Sequence, residues 1–205
     1  MEHGEERPGA ASRLSRSGDE QVRILFFHED DYAMLELIPA ARREEMDAEM
    51  EQIQNFADAH RTEGGYTELY VRKSNPRELD ELQISLAEVE RAVSSFASPY
   101  DQVVTGYGSS YRVECEGIRA FGPNEEIALL CEHGEGRIHK AWMLLNIGDR
   151  EQYDLSLRLL RTLAGIAPLM LADLSWGVQV ELRDEEAVRQ YLNEYLSEEE
   201  DGEEY

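Results

Sequence analysis

The 205-residue sequence predicts an α+β fold, built mainly of antiparallel or mixed sheet from hairpins, with about four helices packed on it. Three observations carry that expectation. Apolar runs of strand length, rich in β-branched and aromatic residues, recur between turn sequences such as "FGPNE" and "HGEG". Longer segments place apolar residues at helical spacing among charged ones. A hydrophobic content of 41% over this length suffices for one substantial core.

The elements follow in order. "QVRILFF" (Gln21 to Phe27) and "YAMLELI" (Tyr32 to Ile38) read as the strands of a β-hairpin, with Pro39 punctuating the second. "AARREEMDAEMEQIQNFADAH" sets Met46, Met50, Ile53 and Phe56 on one helical stripe. After the Gly64-Gly65 break, "YTELYVR" alternates as a half-buried strand, with Leu69 and Val71 expected toward the core. "SLAEVERAVSSF" opens on Ser85 with Glu88 three residues on, the pattern of a capping box. A strand at Val103-Val104, then strands around 111–117, 127–132 and 137–147, predict a meander. A helix from about Arg150 to Leu163 comes next, then two short strands in "LMLADLSW" and "VQVEL". "DEEAVRQYLNEYL" closes the series as a capped helix.

Composition divides the chain into a disordered N-terminal lead (1–20), one globular domain (21–196) and an acidic disordered tail (197–205). The lead mixes charge with Gly, Ser and Pro and has no apolar core of signal-peptide length. The tail "SEEEDGEEY" holds six acids and no base, and reads as a solvated extension or an electrostatic lure for a basic partner. No segment has the length and apolarity of a membrane span. Two cysteines make no disulfide framework, and the cytoplasm is the expected compartment.

The net charge is -24, and the body alone carries 33 acidic against 17 basic residues over positions 21–196. Such a field repels phosphate backbones and anionic membranes, so neither nucleic acid nor membrane is expected as a partner. It either serves solubility or attracts a basic protein.

Candidate chemistry is sparse. His28-Glu29-Asp30-Asp31 between apolar runs reads as a turn, alternatively as an acidic contact surface formed by Glu29, Asp30 and Asp31. Adjacent carboxylates splay apart rather than converge on a cation. If the turns centre near Pro123 and Glu135, Cys115, Cys131 and His139 share one sheet face. That could make a zinc-type Cys2His set, but their alternation partners are apolar and favour a core role. "TGYGSSY" lacks the Lys and Ser/Thr of a phosphate loop and reads as a flexible turn. No nucleophile–base pair assembles from spacing, so no catalytic residue, resident metal or cofactor is assigned, and the chain is read as a non-enzyme. The binding candidates are Tyr66, Glu68 and Tyr70, which would project together from one face of their strand, and Trp176 near a strand end. The competing reading of these rings is ordinary packing.

The strand "DYAMLELIPA", the long helix after it and "GGYTELYVR" together resemble the small acidic α+β immunity proteins with which bacteria neutralise polymorphic toxins. The resemblance is architectural and transfers no functional residue. It implies inhibition by occlusion of a basic toxin or enzyme. The alternatives are a non-catalytic adaptor or structural domain, and an enzyme of unrecognised type.

Overall fold

The computed structural model describes residues 22–72, 75–108 and 110–202, with side chains through 196. In chain order these form β1 (Ile24–His28), β2 (Leu35–Pro39), α1 (Arg43–His60), β3 (Arg61–Thr62), β4 (Gly65–Tyr66), α2 (Leu86–Val93), β5 (Ser98–Pro99), β6 (Gln102–Gly106), β7 (Arg112–Glu114), β8 (Ile118–Gly122), β9 (Ile127–Gly134), β10 (Arg137–Leu145), α3 (Arg150–Ile166), β11 (Leu169–Asp173), β12 (Val178–Glu181) and α4 (Glu185–Gly202). The fold is α+β, and its sheets are dominated by antiparallel pairs. A seven-stranded sheet has the order β12-β11-β2-β10-β9-β8-β5, a three-stranded sheet has the order β1-β6-β7, and β3 and β4 form a separate two-stranded hairpin.

The large sheet is apolar on both faces, and strand alternation sorts its residues. Leu35 and Leu37 of β2, Leu169 and Leu171 of β11, Ile127, Leu129 and Cys131 of β9, and Ala141 and Met143 of β10 enter one core. There they meet Val89 and Val93 of α2, Leu157, Leu160 and Leu163 of α3, and Val188 and Leu192 of α4. Each fully buried leucine contributes about 1.5–3 kcal/mol of transfer free energy. On the opposite face Ala128, Leu130 and Trp142 pack against Leu25, Phe27 and Val103 of the small sheet. Farther along that face, Ile38, Met170 and Ala172 pack against Met46 and Met50 of α1. The molecule therefore has three layers, with the small sheet and α1 sharing the third.

The β8-β9-β10 meander forms with the expected turns. Its β9–β10 reversal holds Glu135 at φ 52° and Gly136 at φ 77°, the doubly left-handed pair that a tight hairpin requires. The starts of α3 and α4 are capped by aspartates: Gln152 N–H donates to Asp149 at 2.8 Å, and Ala187 N–H donates to Asp184 at 3.1 Å. Ser85 stands at the N-cap of α2 with an extended backbone, but its side chain makes no cap hydrogen bond. The backbone of α4 is helical through Gly202, six residues past the boundary read for the acidic tail. The lead (1–20) lies outside the described residues.

Three expectations are corrected. β1 and β2 are not a hairpin: β1 pairs in parallel with β6, and β2 lies between β11 and β10. All five residues of β2 are buried, which demands a central position, whereas β1 alternates between buried and partly or fully exposed residues and suits a covering sheet. "YTELYVR" is not a strand beyond Gly65–Tyr66, and Leu69 and Val71 do not face the core. The expected strand over 111–117 is reduced to β7, which pairs with β6 and ends at Glu114, and the strand that pairs with β9 is β8, which begins only at Ile118, so Cys131 lies opposite Arg119 instead of Cys115.

That division gives the cysteines different environments. Cys131 is buried in the helix-side core, which pushes its thiol well above the ordinary value, whereas Cys115 is half-buried beside the small sheet. Titration with a bulky disulfide reagent should find Cys115 reactive in the native protein and Cys131 reactive only after unfolding. Equal rates for both in native buffer would contradict the assignment of Cys131 to the core.

Candidate functional site

Two charged residues lie in the middle of the large sheet. Glu36 on β2 and Lys140 on β10 each have 0% exposure, and Lys140 Nζ stands 3.0 Å from Glu36 Oε1. Neither of these two atoms has a hydrogen-bond partner among the described residues, so the pair is held by charge. Arg72 covers it from outside, donating from Nη1 to Glu36 Oε2 at 2.5 Å and from Nε to Glu49 of α1 at 2.9 Å. On the other side Lys140 Nζ lies 5.1 Å from the centre of the Tyr32 ring, and the Tyr32 hydroxyl donates to Glu132 at 2.5 Å. Burial, with Glu132 alongside, raises the Tyr32 phenol well above its ordinary value and keeps it protonated. The line Glu132–Tyr32–Lys140–Glu36–Arg72–Glu49 thus runs between the parts of the third layer, from the turn beside the small sheet to α1.

Next to it is a cleft of about 120 Å³ lined by Ile38, Met46 and the charged residues Arg42, Glu49, Arg72 and Glu78. Arg42 pairs with both Glu78 and Glu45. Burial raises the Glu78 carboxyl against the downward pull of Arg42. Two guanidiniums, Arg42 and Arg72, face three carboxylates, Glu45, Glu49 and Glu78, across the cleft.

Arg72 belongs to the segment that returns along α1 after the β3–β4 hairpin. Thr67 N–H donates to His60 O at 3.0 Å, Glu68 lies 3.6 Å from His60, and the Tyr70 ring meets Phe56 edge-on at 5.4 Å while its hydroxyl donates to Gln52 at 3.3 Å. Glu68, Tyr70 and Arg72 therefore turn toward the helix, and Leu69 and Val71 stand outward at 82% exposure each. The alternation is the expected one with its faces exchanged. Tyr66 is exposed, its hydroxyl accepting from Arg61 at 3.2 Å.

The other candidates are dispersed. Glu29, Asp30 and Asp31 form a 3-10 turn, in which Asp30 N–H donates to His28 Nδ1 at 3.3 Å and Glu29 accepts from the Tyr111 hydroxyl. Trp176 sits in the β11–β12 turn, where its ring packs on Tyr191 and Tyr195 at 5.6 and 4.2 Å. One edge of that turn faces α1 across a groove of about 350 Å³. Beneath it, buried Asp173 accepts from Ser175 and Trp176 N–H and from the Tyr191 hydroxyl, which places Trp176 in a structural cluster. Cys115, Cys131 and His139 do not converge: Cys115 and Cys131 belong to different cores, and His139 bonds Asp80 at 2.5 Å. Among the described residues no group of three or more His, Cys, Asp or Glu side chains could hold a metal ion.

Sequence reasoning missed Glu36, Lys140, Arg42 and Glu78. The available signal was a single charge inside an otherwise apolar strand, Glu36 in "YAMLELI" and Lys140 in "HKAWMLL".

No protein-family model matches the chain, and no curated protein or solved structure is significantly similar to it.

Replacing Lys140 by Met should destabilise the fold by about 3–5 kcal/mol, because Glu36 would be left buried with only Arg72 opposing its charge. Adding Glu36→Leu to Lys140→Met should recover most of that loss, since two apolar side chains carry no desolvation cost. Urea unfolding of the three proteins checks this; equal losses for the single and double variants would contradict it.

Proposed function

We propose that the protein is an acidic protein-binding inhibitor, immunity-protein-like, which neutralises a basic toxin or enzyme by covering its working surface. The observation that carries this reading is the coincidence, along α1 and the segment after it, of unbalanced carboxylate charge with outward apolar side chains. Glu44, Asp47, Glu51, Asp58, Glu63 and Glu68 are all exposed there, whereas the exposed cations of the same stretch are Arg43 and Arg61. Leu69, Val71 and Tyr66 stand among them. Charge of one sign steers the encounter with an oppositely charged partner, and exposed apolar groups and rings hold the complex once water is excluded. The -24 net charge extends that attraction over the whole molecule.

The adaptor reading shares the acidity but requires no inhibition, so the experiment measures both binding and activity. A partner recovered from the native lysate should be basic and should lose its activity when saturated with this protein. Raising salt should slow association far more than it changes dissociation, since screening acts on the approach of exposed charges over about 8–10 Å. Tyr66→Ala, at an exposed position, should chiefly accelerate dissociation, by about tenfold or more if the ring is an anchor. An acidic partner, or association indifferent to salt, would rule the reading out; a basic partner that keeps its activity would favour the adaptor.

A further inference from the structure

We propose that residues 67–72 are a docking edge to which a basic partner adds a β-strand; this rests on the acidic-binder reading and assigns it a place and a mode of contact. Beyond a bend at Thr67–Glu68, the alternation of Tyr70 and Arg72 toward α1 with Leu69 and Val71 toward solvent is that of an extended chain. From His60 back to Glu49 the helix covers about 16 Å at 1.5 Å per residue. From Thr67, bonded to His60 through its backbone, to Arg72, whose side chain reaches Glu49, five residues at the roughly 3.3 Å of a strand cover a similar distance.

Its side chains point alternately toward the helix and toward solvent, so its N–H and C=O groups point sideways. Those groups are unused: past the Thr67 bond, no backbone hydrogen bond is made by 68–72 among the described residues. Natural edges of this kind are commonly blunted by Lys, Pro or a bulge. Glu68-Leu69-Tyr70-Val71 contains neither Lys nor Pro, and it presents Leu69 and Val71 at 82% exposure. An extended backbone with free hydrogen-bonding groups and outward apolar side chains is the template used in strand addition, where main-chain bonds give affinity and alternate side chains give selectivity.

Charge selects the occupant. A second copy of this chain would bring another -24 and the same exposed carboxylates to the contact. The edge therefore fits an extended segment of a basic protein in which apolar residues alternate with Lys or Arg. The apolar residues lie beside Leu69 and Val71, and the cations lie among Glu63, Glu68 and the carboxylates of α1.

The test titrates the isotope-labelled full chain with an amidated hexapeptide alternating lysine and valine, and with its glutamate–valine counterpart. The lysine peptide should shift the amides of 68–72 and slow their hydrogen exchange, with affinity falling as salt rises. Val71→Pro removes one donor from the edge and should weaken binding about tenfold. Because proline there also disturbs the Arg72 anchor, a second variant, Leu69→Lys with Val71→Lys, changes only outward side chains. It should melt as the parent does and lose the peptide. Binding of the lysine peptide with shifts confined to other surfaces, such as the Glu29–Asp31 turn, would overturn the docking edge and leave the acidic-binder reading standing. Absence of any salt-dependent binding would overturn both. Equal binding of the glutamate peptide, or a dimer abolished by the double lysine variant, would overturn the basic partner.

Discussion

The buried charge between β2 and β10 constrains the rest of the architecture. Glu36 and Lys140 are removed from water at the centre of a sheet, where desolvation of each ion costs several kcal/mol and their mutual attraction recovers that only with further polar contacts. Those contacts come from outside the sheet. Arg72 and, through it, Glu49 satisfy the Glu36 side, and the Tyr32 ring covers Lys140. The third layer must therefore hold α1, the segment after it and the turn after β1 in a fixed relation to the sheet. A shift of α1 by one turn would move Glu49 about 5 Å from its partner. The helix-side core makes a more local demand: its packing is apolar and tolerates volume-conserving change, apart from buried Asp173, which is satisfied by Tyr191 and by the N–H groups of its own turn, and buried Ser156.

This arrangement also explains the mixed third layer. The large sheet is apolar on both faces, so both need cover, but the sequence supplies helices enough for one face and a single long amphipathic helix for the other. The small sheet covers what α1 does not. β1 and β2, close in sequence, part into two sheets to do this, and the 3-10 turn at Glu29–Asp31 makes the change of layer. The four polar residues that interrupt the apolar runs thus form a junction between layers.

Much of the secondary structure was legible because its signals are local. The α3 and α4 starts carry capping aspartates, the β9–β10 turn carries Gly136, and the stripes of α3 and α4 face the core as their periodicity indicates. What was not legible depends on partners distant in sequence. Whether "ILFF" and "YAMLELI" pair with each other or with β6, β10 and β11 is decided by how many faces each strand buries, and a short apolar run shows that poorly. The opposition of Cys115 and Cys131 failed for a related reason. Gly117, at φ 78°, lies in the turn where the chain leaves β7 and enters β8 in another sheet, ending the register that had been extrapolated through it. Of the candidate site, the grouping of Glu68 and Tyr70 on one side was readable from alternation, but the direction that side faces was not, and Tyr66 stands apart in the β3–β4 hairpin.

That direction follows from the guanidinium. Hydrophobicity alone would turn Leu69 and Val71 inward and leave Arg72 in solvent. Burying those two aliphatic side chains would gain about 1.5–3 kcal/mol each. Arg72 turned outward would leave Glu36 with Lys140 as its one partner and Glu49 without its fork, and a buried carboxylate short of partners costs more than an exposed leucine. A planar guanidinium can reach two carboxylates at once, which the single ammonium of lysine does less well, so the position calls for arginine. Tyr70, two residues earlier, necessarily faces the same way and finds Phe56 and Gln52, and the intervening Val71 necessarily faces out. The exposed apolar residues of this segment are thus a geometric consequence of neutralising a buried charge, and the surface available to a partner is set from within the sheet.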